Sequence, residues 1–105
     1  MTKEKRKLIH EYLISYKYYT AARDGGLDVP PSVRAEAFSV YRSIVDMPPS
    51  KEKLLLYYHY VRGQTLESCA EQLGVSRRTV FRLKQSALEL YAANVKNDAA
   101  IAFLS

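Results

Sequence analysis

Four basic side chains crowd into residues 77–84 of this 105-residue chain, and no acidic residue lies among them. They are Arg77, Arg78, Arg82 and Lys84. A guanidinium group presents its N–H donors in a rigid plane, so it can bind a phosphate or the edge of a guanine base through two hydrogen bonds at once. The cluster therefore predicts a surface that binds an acidic partner.

Residues suited to catalysis or metal binding are sparse by comparison. His10 and His59 lie far apart in the sequence, and Cys69 is the one cysteine, so a zinc site is not expected. The sequence has no glycine-rich phosphate loop and no nucleophile next to a base. We expect no enzymatic activity, no cofactor, no metal and no small-molecule substrate, and we interpret Cys69 as buried and inert.

The composition limits the class of protein. The net charge is +5 and 48% of the residues are apolar, which is enough to form a core. Four glycines and four prolines are too few for the many tight turns of a β-sandwich. The basic N-terminus is not followed by the apolar segment of a signal peptide, and apolar runs such as 54–58 are far shorter than the roughly 20 residues of a membrane span. A cytoplasmic protein without membrane contact is expected.

The N-terminal half has the apolar spacing of two helices. The first is predicted over residues 2–23 and ends at Gly25 and Gly26, and the second begins at Pro30 and Pro31. We interpret residues 1–46 as a helical hairpin for oligomerisation or partner contact. The buried positions predicted for its second helix are Val33, Ala37, Val40, Tyr41, Ile44 and Val45.

The following segment contains three closely spaced helix signals. A third helix is predicted over 51–62, a short fourth from Thr65 through Leu73, and a long fifth over about 77–92. Only Gly74, Val75 and Ser76 separate the last two helices, which is typical of a helix-turn-helix. The fold class is thus all-α with about five helices, an N-terminal helical hairpin followed by the helix-turn-helix at 51–92 and a C-terminal tail at 93–105.

A helix-turn-helix places its second helix in the major groove of double-stranded DNA, where the first residues of that helix face the base edges. The small Ala70 allows the two helices to approach, and Gly74 supplies the turn. Because this spacing surrounds the basic cluster, we prefer DNA binding to the alternative of a solvated helix face.

Residues 51–92 resemble the promoter-reading C-terminal domain of bacterial sigma factors, also called region four. The similarity is carried by residues 58–70 and by the run from Leu73 through Val80, followed by the pair Ala87 and Leu88. The chain departs from the family pattern at His59, Gln64, Ser68 and Cys69. A sigma-like reader behind a short helical segment is similar to phage-encoded transcriptional regulators of the ArpU type, which implies a bacterial host cell.

The resemblance implies a DNA-binding surface on the fifth helix and at the entry to the fourth. Phe81 has two readings, contact with a thymine methyl group or packing against the core of the motif. The residues predicted to bind DNA are Arg62, Thr65, Ser76, Arg77, Arg78, Thr79, Phe81, Arg82 and Gln85.

We expect a sequence-specific transcriptional regulator, an activator of phage or mobile-element genes, with RNA polymerase and a second copy of the chain as candidate partners. Two alternatives remain open: a small terminase-like subunit for phage DNA packaging, and a protein that binds RNA polymerase without touching DNA. The basic N-terminus, Lys3, Lys5, Arg6 and Lys7, is interpreted as solvated, with a phosphate-contacting arm as the alternative.

Overall fold

The fold is all-α, as the sequence predicts. The computed structural model describes residues 2–94, and this part contains five helices and no strand. The helices are α1 (Lys3–Asp24), α2 (Pro31–Val45), α3 (Lys51–Leu56), α4 (Leu66–Leu73) and α5 (Arg77–Asn94). α1 and α2 form the N-terminal hairpin, and α4 and α5 form the helix-turn-helix.

Local signals determine where the helices begin. The hydroxyl of Thr2 accepts the N–H of Lys5 at 3.2 Å, and the hydroxyl of Ser50 accepts the N–H of Lys53 at 3.1 Å. Each bond satisfies one of the N–H groups that the first turn of a helix leaves without a partner. The Lys53 ammonium also donates to the carbonyl oxygens of Val45 and Met47, which joins the end of α2 to α3.

The third helix changes its winding where the sequence predicts one uniform α-helix over 51–62. Residues Tyr57–Val61 form a π-helical segment directly after α3. The N–H of Arg62 donates to the carbonyl of Tyr57 at 3.0 Å, and Gly63 then reverses the chain with a φ of +71°. From this segment Tyr60 contacts His10 of α1, and His59 packs edge-on against Tyr60; both take part in the site described below.

All five helices contribute to one hydrophobic core. Ile9 and Leu13 of α1 are fully buried in the same cluster as Leu55 of α3 and Val80 of α5. Cys69 is also fully buried, as predicted, and burial raises the pKa of its thiol. The other buried members of the cluster are Tyr12, Val40, Ile44, Met47, Leu56, Tyr60, Ala70, Ala87, Leu88 and Tyr91.

The buried face of α2 is narrower than its apolar pattern predicts. Ala37, Val40 and Ile44 are buried, as expected. The prediction that Val33, Tyr41 and Val45 are also buried is wrong, because they are 39%, 38% and 40% exposed. α2 packs against the other helices along one stripe, so apolar residues on either side of that stripe stay at the surface.

The predicted C-terminal tail, 93–105, falls almost entirely outside the described residues. α5 continues through Asn94, two residues beyond the predicted end at about 92. Within residues 2–94, none of the helices combines the length and the apolar character needed to cross a membrane.

Candidate nucleic-acid interface

The turn between α4 and α5 is built from backbone hydrogen bonds. Gly74 has a φ of +69°, a left-handed conformation that glycine adopts without strain. The N–H of Val75 donates to the carbonyl of Ala70 at 3.0 Å, and the N–H of Gly74 donates to the carbonyl of Glu71 at 3.3 Å. This pair of bonds is a Schellman motif, which ends α4 and turns the chain sharply.

Two hydroxyl side chains begin the helices of the motif. Thr65 accepts the N–H of Ser68 at 3.1 Å at the start of α4, and Ser76 accepts the N–H of Thr79 at 3.1 Å at the start of α5. The Ser76 hydroxyl also donates to the Thr79 hydroxyl at 2.9 Å. Thr65 and Ser76 are both predicted DNA contacts, and both are exposed although they cap α4 and α5.

The structure brings the predicted α5 residues to one solvent-facing surface. Val80 is fully buried and anchors the first turns of α5, which leaves the residues on either side of it pointing outward. Arg62 and Thr65 are also exposed, just before α4. The predicted residues that are exposed at the start and along the first turns of α5 are Ser76, Arg77, Arg78, Thr79, Phe81, Arg82 and Gln85.

Phe81 does not pack into the core of the motif. Its side chain is 45% exposed, and it lines a groove together with Arg6 and Lys7 of α1. The interpretation that Phe81 packs against the core of the helix-turn-helix is therefore wrong. An aromatic side chain that stays half exposed at this position is available to contact a thymine methyl group.

Arg77 and Arg78 occupy the first turn of α5, a position where acidic side chains are ordinarily more favourable. The N-terminus of a helix carries partial positive charge, so cations in its first turn cost a few tenths of a kcal/mol to about 1 kcal/mol each. α1, α3 and α4 each place a glutamate in the first turn, whereas α5 has none and starts with Arg77 and Arg78. An anionic partner such as a phosphate would offset this unfavourable arrangement.

One of these arginines is held by the preceding helix. A guanidinium nitrogen of Arg77 lies 3.3 Å from a carboxylate oxygen of Glu67, and both side chains are more than half exposed. Such an exposed pair adds little stability and orients the side chain weakly. Arg78 and Arg82 make no ion pair with residues 2–94, so their guanidinium groups keep all their donors for a partner.

Sequence reasoning missed a cluster that fixes the corner before α4. His10 Nδ1 of α1 lies 2.6 Å from the Tyr60 hydroxyl, and the ring of His59 stacks edge-on against Tyr60 at 4.7 Å between centroids. His59 donates its Nδ1–H to the carbonyl of Gln64 at 2.7 Å. From the sequence the two histidines suggest only metal ligands, and no local pattern indicates that His10 and Tyr60, 50 positions apart, are in contact.

Acid is expected to loosen this corner. Burial, more than the nearby charge of Lys84, lowers the pKa of His10, and burial likewise lowers the pKa of His59. The unfolded chain binds protons near the ordinary histidine pKa of about 6.5. The folded protein binds these protons only at lower pH. The contribution of the neutral histidines to stability is therefore fully present above a pH of about 6.5 and is lost as the pH drops below that value.

Urea unfolding between pH 8 and pH 5 measures this effect. We expect the urea midpoint of the wild type to decrease as the pH drops below about 6.5. We expect the variant H10Q/H59Q to lose less stability over the same pH range. A double variant as acid-sensitive as the wild type would assign the pH dependence to other groups.

Residues 49–90 match the family sigma-70, region 4. The matched range includes α3, the π-helical segment, α4 and most of α5. No curated protein and no solved structure matches the chain significantly. The similarity and the geometry together define a DNA-binding helix-turn-helix domain similar to the promoter-reading part of sigma factors.

Proposed function

We propose that the protein is a sequence-specific transcriptional regulator that docks α5 in the major groove of double-stranded DNA. The observation that carries the proposal is the exposed arginine cluster at the start of α5, inside a helix-turn-helix that matches sigma-70, region 4. A basic face alone would support only anion binding. The spacing of the helix-turn-helix and the geometry of its turn favour the base edges of the major groove as the target of α5.

The residues of this surface divide by their chemistry. Arg77, Arg78 and Arg82 are suited to guanine, whose O6 and N7 accept two hydrogen bonds from one guanidinium, and Gln85 is suited to adenine. Thr79 and Phe81 offer methyl and aromatic surface to thymine. In this proposal the phosphate backbone is contacted by Thr65 and Ser76, which cap the starts of α4 and α5, and by Arg62.

The proposed role is that of an activator of phage or mobile-element genes in a bacterial cell. It is supported by the resemblance to ArpU-type regulators, in which a sigma-like reader follows a short helical segment. An activator of this kind needs a contact with transcription machinery, and RNA polymerase is the candidate partner. In this proposal residues 51–92 read DNA and residues 1–46 make the contact with a partner.

The hairpin has a surface suited to that second role. Phe38 is 61% exposed, and a groove of about 310 Å³ beside it is lined by Tyr16, Tyr19, Arg23 and Tyr41. Aromatic and arginine side chains are enriched in protein interfaces. Because one recognition helix reads only a few base pairs, a second copy of the chain bound through the hairpin would supply the specificity that a regulator needs.

Selection of bound sequences from random duplex DNA at fixed salt tests the proposal. A palindrome is expected, together with a dimer in sedimentation of the protein with that DNA. A single short site with a monomer would support a reader tethered by polymerase, and a ring of many subunits would support the packaging alternative. No enrichment over random DNA would contradict sequence reading.

A further inference from the structure

A groove lies between the first turns of α1 and the middle of α5, beside the residues assigned to DNA by the sequence pattern. It has a volume of about 280 Å³ and opens to solvent. Arg6, Lys7 and His10 line it from α1, and Phe81, Lys84, Gln85 and Leu88 line it from α5. The lining residues of α1 are more than seventy positions before those of α5 in the sequence, so only the fold brings these side chains together.

The groove is cationic. Lys7 is exposed, and Lys84 is half-buried, with burial lowering the pKa of its ammonium group. Arg6 lies 3.3 Å from Glu89, so this carboxylate is engaged with Arg6 and offsets its charge. The two lysines therefore supply most of the uncompensated positive charge, and an anion seated between them would offset the cost of holding Lys84 partly out of water.

This groove is continuous with the proposed base-facing surface. Phe81 and Gln85 line the groove and also belong to the exposed face of α5. A duplex with α5 in its major groove would therefore run past the mouth of the groove. On α1, Lys3 lies one helical turn before Lys7 and on the same face, so the cationic row of α1 continues beyond the residues that line the groove.

We propose that this groove binds a phosphate of the DNA backbone next to the bases read by α5, with Lys7 and Lys84 as its cationic ligands. The inference rests on the proposed docking of α5 in the major groove. Lysine acts as a compact point charge and suits a phosphate, which carries no sequence information. The exposed apolar face of Phe81 suits the adjoining sugar.

The consequence is that the hairpin itself takes part in DNA binding. α1 then has two roles, since its buried face packs in the core and its first turns extend the DNA-binding surface. This favours the phosphate-contacting alternative for the basic N-terminus over a simply solvated end. It also predicts that affinity and sequence preference are governed by different helices.

Binding across a salt series tests the inference with the full chain. The variants K7A and K84Q are each expected to weaken binding to the selected duplex and to a scrambled duplex by the same factor. Each is expected to reduce the slope of log K against log salt by about 0.9, the loss of one phosphate contact. K7R retains the charge and should keep the wild-type slope.

Two further variants serve as controls. K51A removes an exposed lysine that does not line the groove and should leave the slope unchanged. E89Q removes the carboxylate beside Arg6 and should strengthen binding to both duplexes, the opposite direction from K7A. Far-UV circular dichroism confirms that each variant is folded before binding is compared.

The outcomes separate the inference from the proposed function. A protein that prefers its selected duplex, but whose slope is unaffected by K7A and K84Q, would overturn the phosphate site alone. A protein without preference between the duplexes would overturn sequence reading, and with it the docking on which the inference rests. Tighter binding by K7A would also overturn the inference, because α1 would then obstruct the duplex.

Discussion

Replacement of Arg77 and Arg78 by alanine is expected to abolish most of the preference for the selected DNA site. Each arginine that reads a guanine contributes about 1–3 kcal/mol of discrimination, so the double variant R77A/R78A should bind specific and scrambled duplexes with similar affinity. Both side chains are exposed, and within residues 2–94 the one ion-pair partner of Arg77 is the exposed Glu67. The folded structure should therefore lose little. Competition binding at fixed salt measures the affinity ratio directly.

A matched control is K51A, which removes an exposed basic side chain of α3 that lines neither groove beside Phe38 on the hairpin. It should leave the ratio of the two affinities unchanged. If R77A/R78A binds DNA like the wild type while its binding to RNA polymerase falls, the cluster is a polymerase contact and the protein does not use it to read DNA.

Replacement of Leu13 by alanine is expected to destabilise the whole protein, including the DNA-binding helices. Leu13 is fully buried on α1 and belongs to the core cluster that also holds Leu55 and Val80. Removal of a buried leucine side chain costs about 2–5 kcal/mol, which is a large share of the roughly 5–15 kcal/mol that stabilises a small domain. Urea unfolding followed by circular dichroism should show a lower midpoint with one transition.

The same substitution at Leu8 is the control within the same helix. Leu8 is 44% exposed, so L8A should change the stability by no more than about 0.5 kcal/mol. If L13A instead produced two transitions, with the helix-turn-helix retaining the wild-type midpoint, the hairpin and the reader would unfold independently. The core that joins them would then contribute little to the stability of α4 and α5.

The helix boundaries could be predicted from the sequence because the signals that set them are local. Ser50, Thr65 and Ser76 each precede a helix that they cap, and Gly74 ends α4 in the left-handed conformation. A cap or a turn depends on residues within a few positions of each other, and the printed sequence contains that information. The exposed arginine surface followed from the same spacing, since the buried Val80 fixes which residues of α5 face outward.

The contacts between distant helices could not be predicted in this way. The pairing of Arg6 with Glu89 spans 83 residues and that of His10 with Tyr60 spans 50, so both depend on how α1 packs against the rest. The π-helical segment after α3 also has no local signal, because its residues suit an ordinary helix equally well. The apolar pattern of α2 predicts too many buried residues for a related reason. It does not determine how much of the apolar face packs against other helices.

The central claim, that α5 reads bases in the major groove, is tested most directly by removing one acceptor atom from the DNA. Guanines of the selected site are replaced one at a time by 7-deazaguanine, which lacks the N7 acceptor of the major groove and keeps the base pair. Wild-type protein should lose about 1–3 kcal/mol at the contacted guanines, whereas R77A/R78A should lose much less at those positions. If wild-type binding were unchanged by every such replacement, or if the variant lost as much as the wild type, α5 would not read those guanines and the account would be contradicted.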